Sequence, residues 1–183
     1  MCIVCTGNYD GVTILDCARC PNVTEIPVIP GLKELNCWGC ENLQNIFVIP
    51  GLETLDCFRC KSLTKIPVIP GLQNLYCSGC ISLQDIPVIP DLKELYCSGC
   101  TNVKKIPVIP GLQKLCCAYC TALSEIPVIS DLGELDCSGC TSLTEIPVIP
   151  GLQKLQCLDC TGLKEIPIIP GLKISVFSTS MRS

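Results

Sequence analysis

Residues 52–71 read LETLDCFRCKSLTKIPVIPG, and the same pattern returns every 20 residues without insertion or deletion. Written L-x-x-L-x-C-x-x-C-x-x-L-x-x-I-P-V-I-P-G, the unit occurs eight times with single-residue departures such as Phe47, Ser130 and Ile168, at 12–31, 32–51, 52–71, 72–91, 92–111, 112–131, 132–151 and 152–171. A fixed period of this length is typical of a solenoid in which each unit forms one coil. The off-pattern residues are then an N-terminal cap or shortened coil (1–11) and a C-terminal cap and tail (172–183).

The pattern inside one unit predicts extended chain rather than helix. Leu35 and Cys37 alternate with outward positions, as in a half-buried strand, and no stretch holds a 3.6-residue period for three turns. The prolines of the tail, such as Pro27 and Pro30, exclude an α-helix there and favour extended or polyproline geometry.

One unit has too few apolar side chains to bury them alone, but stacked units can. Coils placed about 4.8 Å apart let each apolar side chain sit on its copy in the next coil. We therefore predict a parallel β-solenoid of about eight coils, with one parallel sheet, an extended or polyproline opposite side, and little or no α-helix. The predicted core positions are, in the second unit, Leu32, Leu35, Cys37, Cys40, Leu43, Ile46 and Ile49.

The repeat resembles the leucine-rich repeat family over 12–171. The segment L-x-x-L-x-C-x-x-C is similar to that family's L-x-x-L-x-L-x-x-N/C motif, with Cys37 at the third leucine position and Cys40 at the Asn/Cys position. The tail I-P-x-I-P is similar to the L-P-x-L-P of short bacterial-type repeats, and the spacing after the second cysteine is similar to the cysteine-containing class. The resemblance implies an arc or horseshoe whose sheet lines the concave face and binds a partner.

Composition excludes several classes of function. The chain of 183 residues has no histidine, which removes Ser-His-Asp and Cys-His catalysis and imidazole metal ligands. A net charge of −4 argues against nucleic acid, which requires a basic face. No apolar run is long enough to span a membrane, and the first residues do not resemble a signal peptide. We expect a cytoplasmic protein that is not an enzyme, with no catalytic residue, no cofactor and no membrane partner.

Sixteen of the 19 cysteines form eight C-x-x-C pairs, from Cys17/Cys20 to Cys157/Cys160. Consecutive pairs match the spacing of a generic zinc site, but the 20-residue period produces that spacing automatically. Buried free thiols are the favoured interpretation, because cysteine packs as a small hydrophobic group. Zinc binding and some disulfide formation remain alternatives.

Cys116 occupies an outward strand position, where other units have residues such as Asn36 or Tyr76. We expect it to be the most accessible thiol of the repeats, with Lys114 nearby on the same face. A chance surface cysteine is favoured over a reactive one, because nothing around it in the sequence resembles a catalytic set.

Variation between units is concentrated on the outward face of the predicted sheet. Five of the chain's eight aromatic residues fall there: Trp38, Phe58, Tyr76, Tyr96 and Tyr119. Carboxylates border them at Asp16, Asp56 and Asp136. Aromatic residues dominate binding energies at interfaces, so this pattern predicts a face that holds a protein partner with basic side chains. The alternative is cross-strand packing that only stabilises the sheet.

The opposite side of the coil is monotonous, with a valine at position 28 and at 20-residue intervals to 148. An exposed valine and proline ridge there would support self-association, and local packing is the alternative. The function expected from the whole pattern is a non-catalytic protein–protein interaction module. Metal binding or thiol redox buffering by the C-x-x-C array is the second candidate.

Overall fold

The computed structural model describes Val4, Gly7 and residues 9–177, so Cys2 and Cys5 of the N-terminal cap lie outside the described residues. No residue between Tyr9 and Phe177 is helical. The strands are β1 (Ile14–Asp16), β2 (Glu25–Ile26), β3 (Glu34–Asn36), β4 (Asn45–Ile46), β5 (Thr54–Asp56), β6 (Asn74–Tyr76), β7 (Glu94–Tyr96), β8 (Lys114–Cys116), β9 (Glu134–Asp136), β10 (Lys154–Cys157) and β11 (Ile174–Phe177).

Nine strands form one parallel sheet in the order β1-β3-β5-β6-β7-β8-β9-β10-β11. Each strand pairs with the next at an offset of 20 residues, so that Leu35 lies beside Leu55 and Leu75 beside Leu95. The hydrogen bonds continue past the strands, because the amide of Cys37 donates to the carbonyl of Asp56 at 2.8 Å. The predicted parallel β-solenoid, with one large sheet and essentially no helix, is confirmed.

The core consists of columns of identical or closely similar apolar side chains, one from each coil. All seven core positions predicted in the second unit are buried, with Leu35 and Cys40 at 1% and 0% exposure. The same columns continue through the neighbouring units as one cluster, and only end positions such as Cys20 and Ile166 are partly exposed among the described residues. The fold is therefore stabilised by contacts between coils, as expected when a single coil cannot enclose its own apolar groups.

A second, two-stranded sheet joins β2 to β4, which the sequence pattern does not predict. Its cause is the substitution of Phe47 for the proline of the other units. The Phe47 amide donates to the carbonyl of Ile26 at 3.0 Å, and a proline has no N–H to make this bond. Elsewhere on this side of the described coils, pairing is reduced to a single bridge between Lys105 and Glu125.

No helix among residues 9–177 has the length and apolar character needed to cross a membrane.

Candidate protein-binding face

We call the outward surface of the nine-stranded sheet the sheet face. It is made by the third, fifth, seventh and eighth residues of each 20-residue unit. The strands alternate as expected, since Leu35 is buried while its neighbours Glu34 and Asn36 lie on the other side. The turn that follows each strand adds the seventh and eighth residues to the same surface.

Four of the predicted aromatic residues form two pairs on the sheet face. The ring centroids of Trp38 and Phe58 lie 6.3 Å apart with the planes tilted by 42°. Tyr76 and Tyr96 stack at 4.9 Å with 19° between the planes, because the register places them directly beside each other. Offset pairs at these distances stabilise each other beyond simple burial. All four rings are half-buried, so each still presents part of its surface to solvent.

Each pair also carries a cation from this chain, a feature that the sequence pattern does not predict. The Arg19 guanidinium lies 4.0 Å from the centroid of Trp38. Arg59 lies 5.2 Å from the ring of Phe58, and the Lys114 ammonium 5.3 Å from that of Tyr96. These are cation–π distances. One feature of the sequence could have indicated these contacts: both arginines are the eighth residue of their units, directly after the column that contains Trp38 and Phe58.

The backbone at the eighth residue of a unit determines the direction of the arginine and tyrosine side chains there. Arg19, Arg59, Tyr119 and Asp159 have φ between 53° and 58°, the left-handed region that favours glycine. The next coil has glycine in the same place after three of them, at Gly39, Gly79 and Gly139. A Cβ at Gly39 would lie 3.2 Å from Cγ of Arg19, and one at Gly139 would lie 2.5 Å from Cδ1 of Tyr119. Each long side chain therefore lies across the glycine of the following coil.

Tyr119 is the most exposed of the predicted aromatic residues, with 62% of its surface accessible. It lies in the eighth column, and the structure does not place it in either ring pair.

The predicted carboxylates have a structural bond as well as a place on the sheet face. Oδ1 of Asp16, Asp56 and Asp136 each accepts the backbone amide two residues later, at 2.9, 2.9 and 3.0 Å. Asn36 makes the same bond to the Trp38 amide at 3.0 Å. This is an Asx turn, which fixes the start of the turn after the strand. Burial raises the pKa of Asp56, and the bond from the Phe58 amide opposes that shift.

Cys116 lies on the sheet face between Tyr96 and Asp136 but is half-buried. Its Sγ is 3.2 Å from the hydroxyl of Ser98 and 3.8 Å from Oδ2 of Asp136. Burial raises the pKa of the Cys116 thiol, so little of it is thiolate at neutral pH. Cys20 is the other partly exposed thiol among the 17 that the structure describes.

A shallow depression of about 290 Å³ adjoins Cys116 and is lined by Tyr96, Lys114, Glu134, Asp136 and Lys154 among others. Glu134 lies between two lysines, 3.6 Å from Lys114 and 2.6 Å from Lys154, and the bond to Lys154 lowers the pKa of Glu134.

The C-x-x-C pairs form a buried hydrogen-bond ladder. The second thiol of a pair donates to the carbonyl of the first cysteine one coil back, as Cys60 does to Cys37 at 3.2 Å and Cys80 to Cys57 at 3.0 Å. The same bond recurs from Cys40 to Cys160 at 3.0–3.2 Å. These cysteines therefore act as S–H donors to buried carbonyls as well as filling the core. Within the described chain, no three cysteine, aspartate or glutamate side chains cluster in a way that could hold a metal ion.

Comparison with known proteins yields neither a matching family model nor a curated protein with significant similarity.

Proposed function

We propose that this chain is a non-catalytic protein-interaction module of the leucine-rich repeat type, and that the sheet face holds its partner. The observation that carries the proposal is the pairing of Trp38 with Phe58 and of Tyr76 with Tyr96 on one open surface. Aromatic anchors held in place before binding lose little conformational freedom on association. Arg19, which lies over Trp38 and across Gly39, is held in the same way.

Charge favours a partner with basic side chains. The third, fifth, seventh and eighth residues of the eight units, which make the sheet face, include seven carboxylates, two lysines and two arginines. Both lysines, Lys114 and Lys154, are already engaged by Glu134. The face therefore keeps an excess of negative charge, which steers a basic partner towards it and disfavours nucleic acid.

A reducing compartment suits the core of the protein. The second thiol of each described pair beyond the first donates its S–H to a buried carbonyl, and a disulfide would remove that donor. These thiols support the proposal that the protein works in the cytoplasm, where thiols are kept reduced.

The test is replacement of Trp38 and Tyr96 with Ala, one residue from each aromatic pair. A partner isolated with the unaltered chain should bind the double variant at least about 30-fold more weakly, since an aromatic anchor commonly contributes 2 kcal/mol or more. The melting temperature should stay within a few degrees, because both rings lie outside the core. Isothermal titration calorimetry and thermal unfolding measure the two quantities.

Phe47→Ala is the matched control, because Phe47 is a surface aromatic residue that lies off the sheet face. It should leave affinity unchanged. Equal affinity of the Trp38/Tyr96 variant and the unaltered chain, or a large loss of stability in that variant, would assign the rings to the fold rather than to recognition.

A further inference from the structure

The side of the solenoid that carries the valine column is an apolar ridge on the surface. Its valines, from Val28 to Val148, are each 43–56% exposed, and Ile168 at the end of the column is 92% exposed. Successive members are about 4.8 Å apart, so the ridge is about 34 Å long. A soluble chain rarely leaves so continuous an apolar line without a partner.

The area available agrees with a stable protein interface. In each coil, the chain from residue 25 to the turn at residues 30–31, and at the equivalent places of the other units, spans at most about 20 Å in extended form. A strip about 34 Å long and up to about 20 Å wide gives roughly 680 Å², within the ~600–1,000 Å² per partner of a standard interface. The strip is centred on valine and proline, and charged side chains are confined to its rim, which is the usual arrangement of an interface.

One rim of the ridge is the column formed by the fourteenth residue of each unit, and it carries the charges that identify the partner. From the first unit to the eighth it reads Glu25, Asn45, Lys65, Asp85, Lys105, Glu125, Glu145 and Glu165, and every one of these residues is exposed. The four central residues therefore alternate in sign. Adjacent members of this column are close enough to pair, since the Lys105 ammonium lies 3.0 Å from Glu125.

We propose that the valine ridge is a homodimer interface in which two copies pack with their ridges antiparallel. A two-fold axis perpendicular to the ridge brings the same column of both copies together in opposite directions. Centred between Val88 and Val108, it places Lys65 opposite Glu125 and Asp85 opposite Lys105, and symmetry gives each pair twice. The four central charges of one copy are thus complementary to the same four charges of the other copy.

The remaining contacts agree with this arrangement. On the other rim, the same axis places Asp91 opposite Gly111 and Asp131 opposite Gly71, so no like charges meet in that column. Just beyond it, Lys33 and Lys173 face each other at the outer ends, where each is bonded within its own copy, to Glu53 and Gln153. Glu25 and Glu165 are a like-charged pair, and they lie at the outer ends, where solvent screens them most. An axis parallel to the ridge would instead pair the charged column with the proline and glycine column. The four alternating charges would then meet no opposite charges on the other copy.

The test uses charge exchange across the axis, measured by sedimentation velocity at micromolar concentrations. The unaltered chain should be dimeric. Asp85→Lys alone and Lys105→Asp alone should each raise the dimer Kd by tenfold or more, because each creates two like-charged contacts. A mixture of the two single variants should form a heterodimer, since each of the four facing positions then meets the opposite charge on the other copy. The double variant in one chain should dimerise as the unaltered chain does.

Val88→Asp combined with Val108→Asp provides the second arm and should give a monomer with the far-UV circular dichroism of the unaltered chain and a melting temperature that no longer depends on protein concentration. A monomeric unaltered chain at 100 μM would overturn the proposal, as would single charge variants that fail to combine when mixed. A monomer that instead sediments with neutral phosphatidylcholine vesicles would assign the ridge to a lipid surface and also overturn it.

Discussion

Cysteine takes two different roles that depend only on its position in the unit. In the C-x-x-C pairs beyond the first both thiols are enclosed, and the second, such as Cys80, completes the hydrogen bonding of a buried carbonyl. At Cys116 the side chain is on the sheet face, where its neighbours are a hydroxyl and a carboxylate rather than core residues. Chemical reactivity should therefore separate these positions, because thiol reactions require both access and thiolate.

We predict that a maleimide labels Cys116 at least tenfold faster than Cys97 or Cys137 in the native protein at pH 7.5. Cys97 and Cys137 are fully enclosed, whereas Cys116 is partly exposed, although its raised pKa slows its absolute rate. Timed labelling followed by tandem mass spectrometry that assigns the label to a residue gives the rates, because Cys116 and Cys117 are adjacent in the sequence. Cys116→Ser serves as the control and should remove the fast label at that position only. Labelling of Cys97 before Cys116 would mean that the strand register is wrong.

At the scale of an element, one residue decides whether the proline side of the coil forms a sheet. Phe47 supplies the amide that bonds to Ile26, and the neighbouring unit has Pro67, which cannot. The backbone is extended in either case, so the missing donor rather than the chain path limits this second sheet.

We predict that Pro67→Phe adds a third strand to the small sheet, with its new amide donating to the carbonyl of Ile46. In hydrogen-exchange NMR, the amide at position 67 should exchange at least about 100-fold more slowly than an exposed loop amide. The Phe47 amide of the unaltered chain provides the reference for protection at this place. An unprotected amide at position 67 would show that the segments are too far apart to pair.

The sequence predicts the columns of the core because every strand and turn is repeated, and a two-residue alternation identifies the buried side chains. Leu35, Cys37 and Cys40 are examples. It does not predict the arginines over the aromatic rings, because the direction of Arg19 depends on a positive φ at its turn and on the absence of a Cβ at Gly39. The hydrogen bonds of the thiols also require the register of neighbouring coils, which a single unit does not contain.

At the scale of the whole molecule, the buried thiols couple stability to alkaline pH. The first cysteines of the pairs, such as Cys57 and Cys77, have pKa values raised by hydrogen bonding to the thiol of the next coil and by burial. Burial raises the pKa of Cys157 to about 12. In the unfolded chain these thiols ionise near pH 8.5, so above that pH the unfolded state loses protons that the folded state keeps.

We predict that the free energy of unfolding is constant from pH 7 to about pH 8 and falls by several kcal/mol by pH 10. Each thiol with a raised pKa contributes up to about 1.4 kcal/mol per pH unit above its unfolded pKa. Cys40 and Cys160, whose pKa hydrogen bonding lowers to about 7, add stability between pH 7 and about 8.5 and so oppose the beginning of this loss, which keeps the profile flat to about pH 8. Denaturant unfolding in the presence of reductant measures the free energy of unfolding at each pH. Cys77→Ala should reduce the slope by about 1.4 kcal/mol per pH unit, and a flat profile to pH 10 would contradict the prediction.

The strict 20-residue offset between paired strands also determines how the protein responds to tension. Each coil is held by its neighbours and closes no long loop, so a pulling force on the two ends can detach coils one at a time from an edge of the sheet. A detached coil releases 20 residues of chain, roughly 60–70 Å of contour length beyond the ~4.8 Å that it occupied in the stack. Under tension the solenoid therefore lengthens in equal steps, one coil at a time.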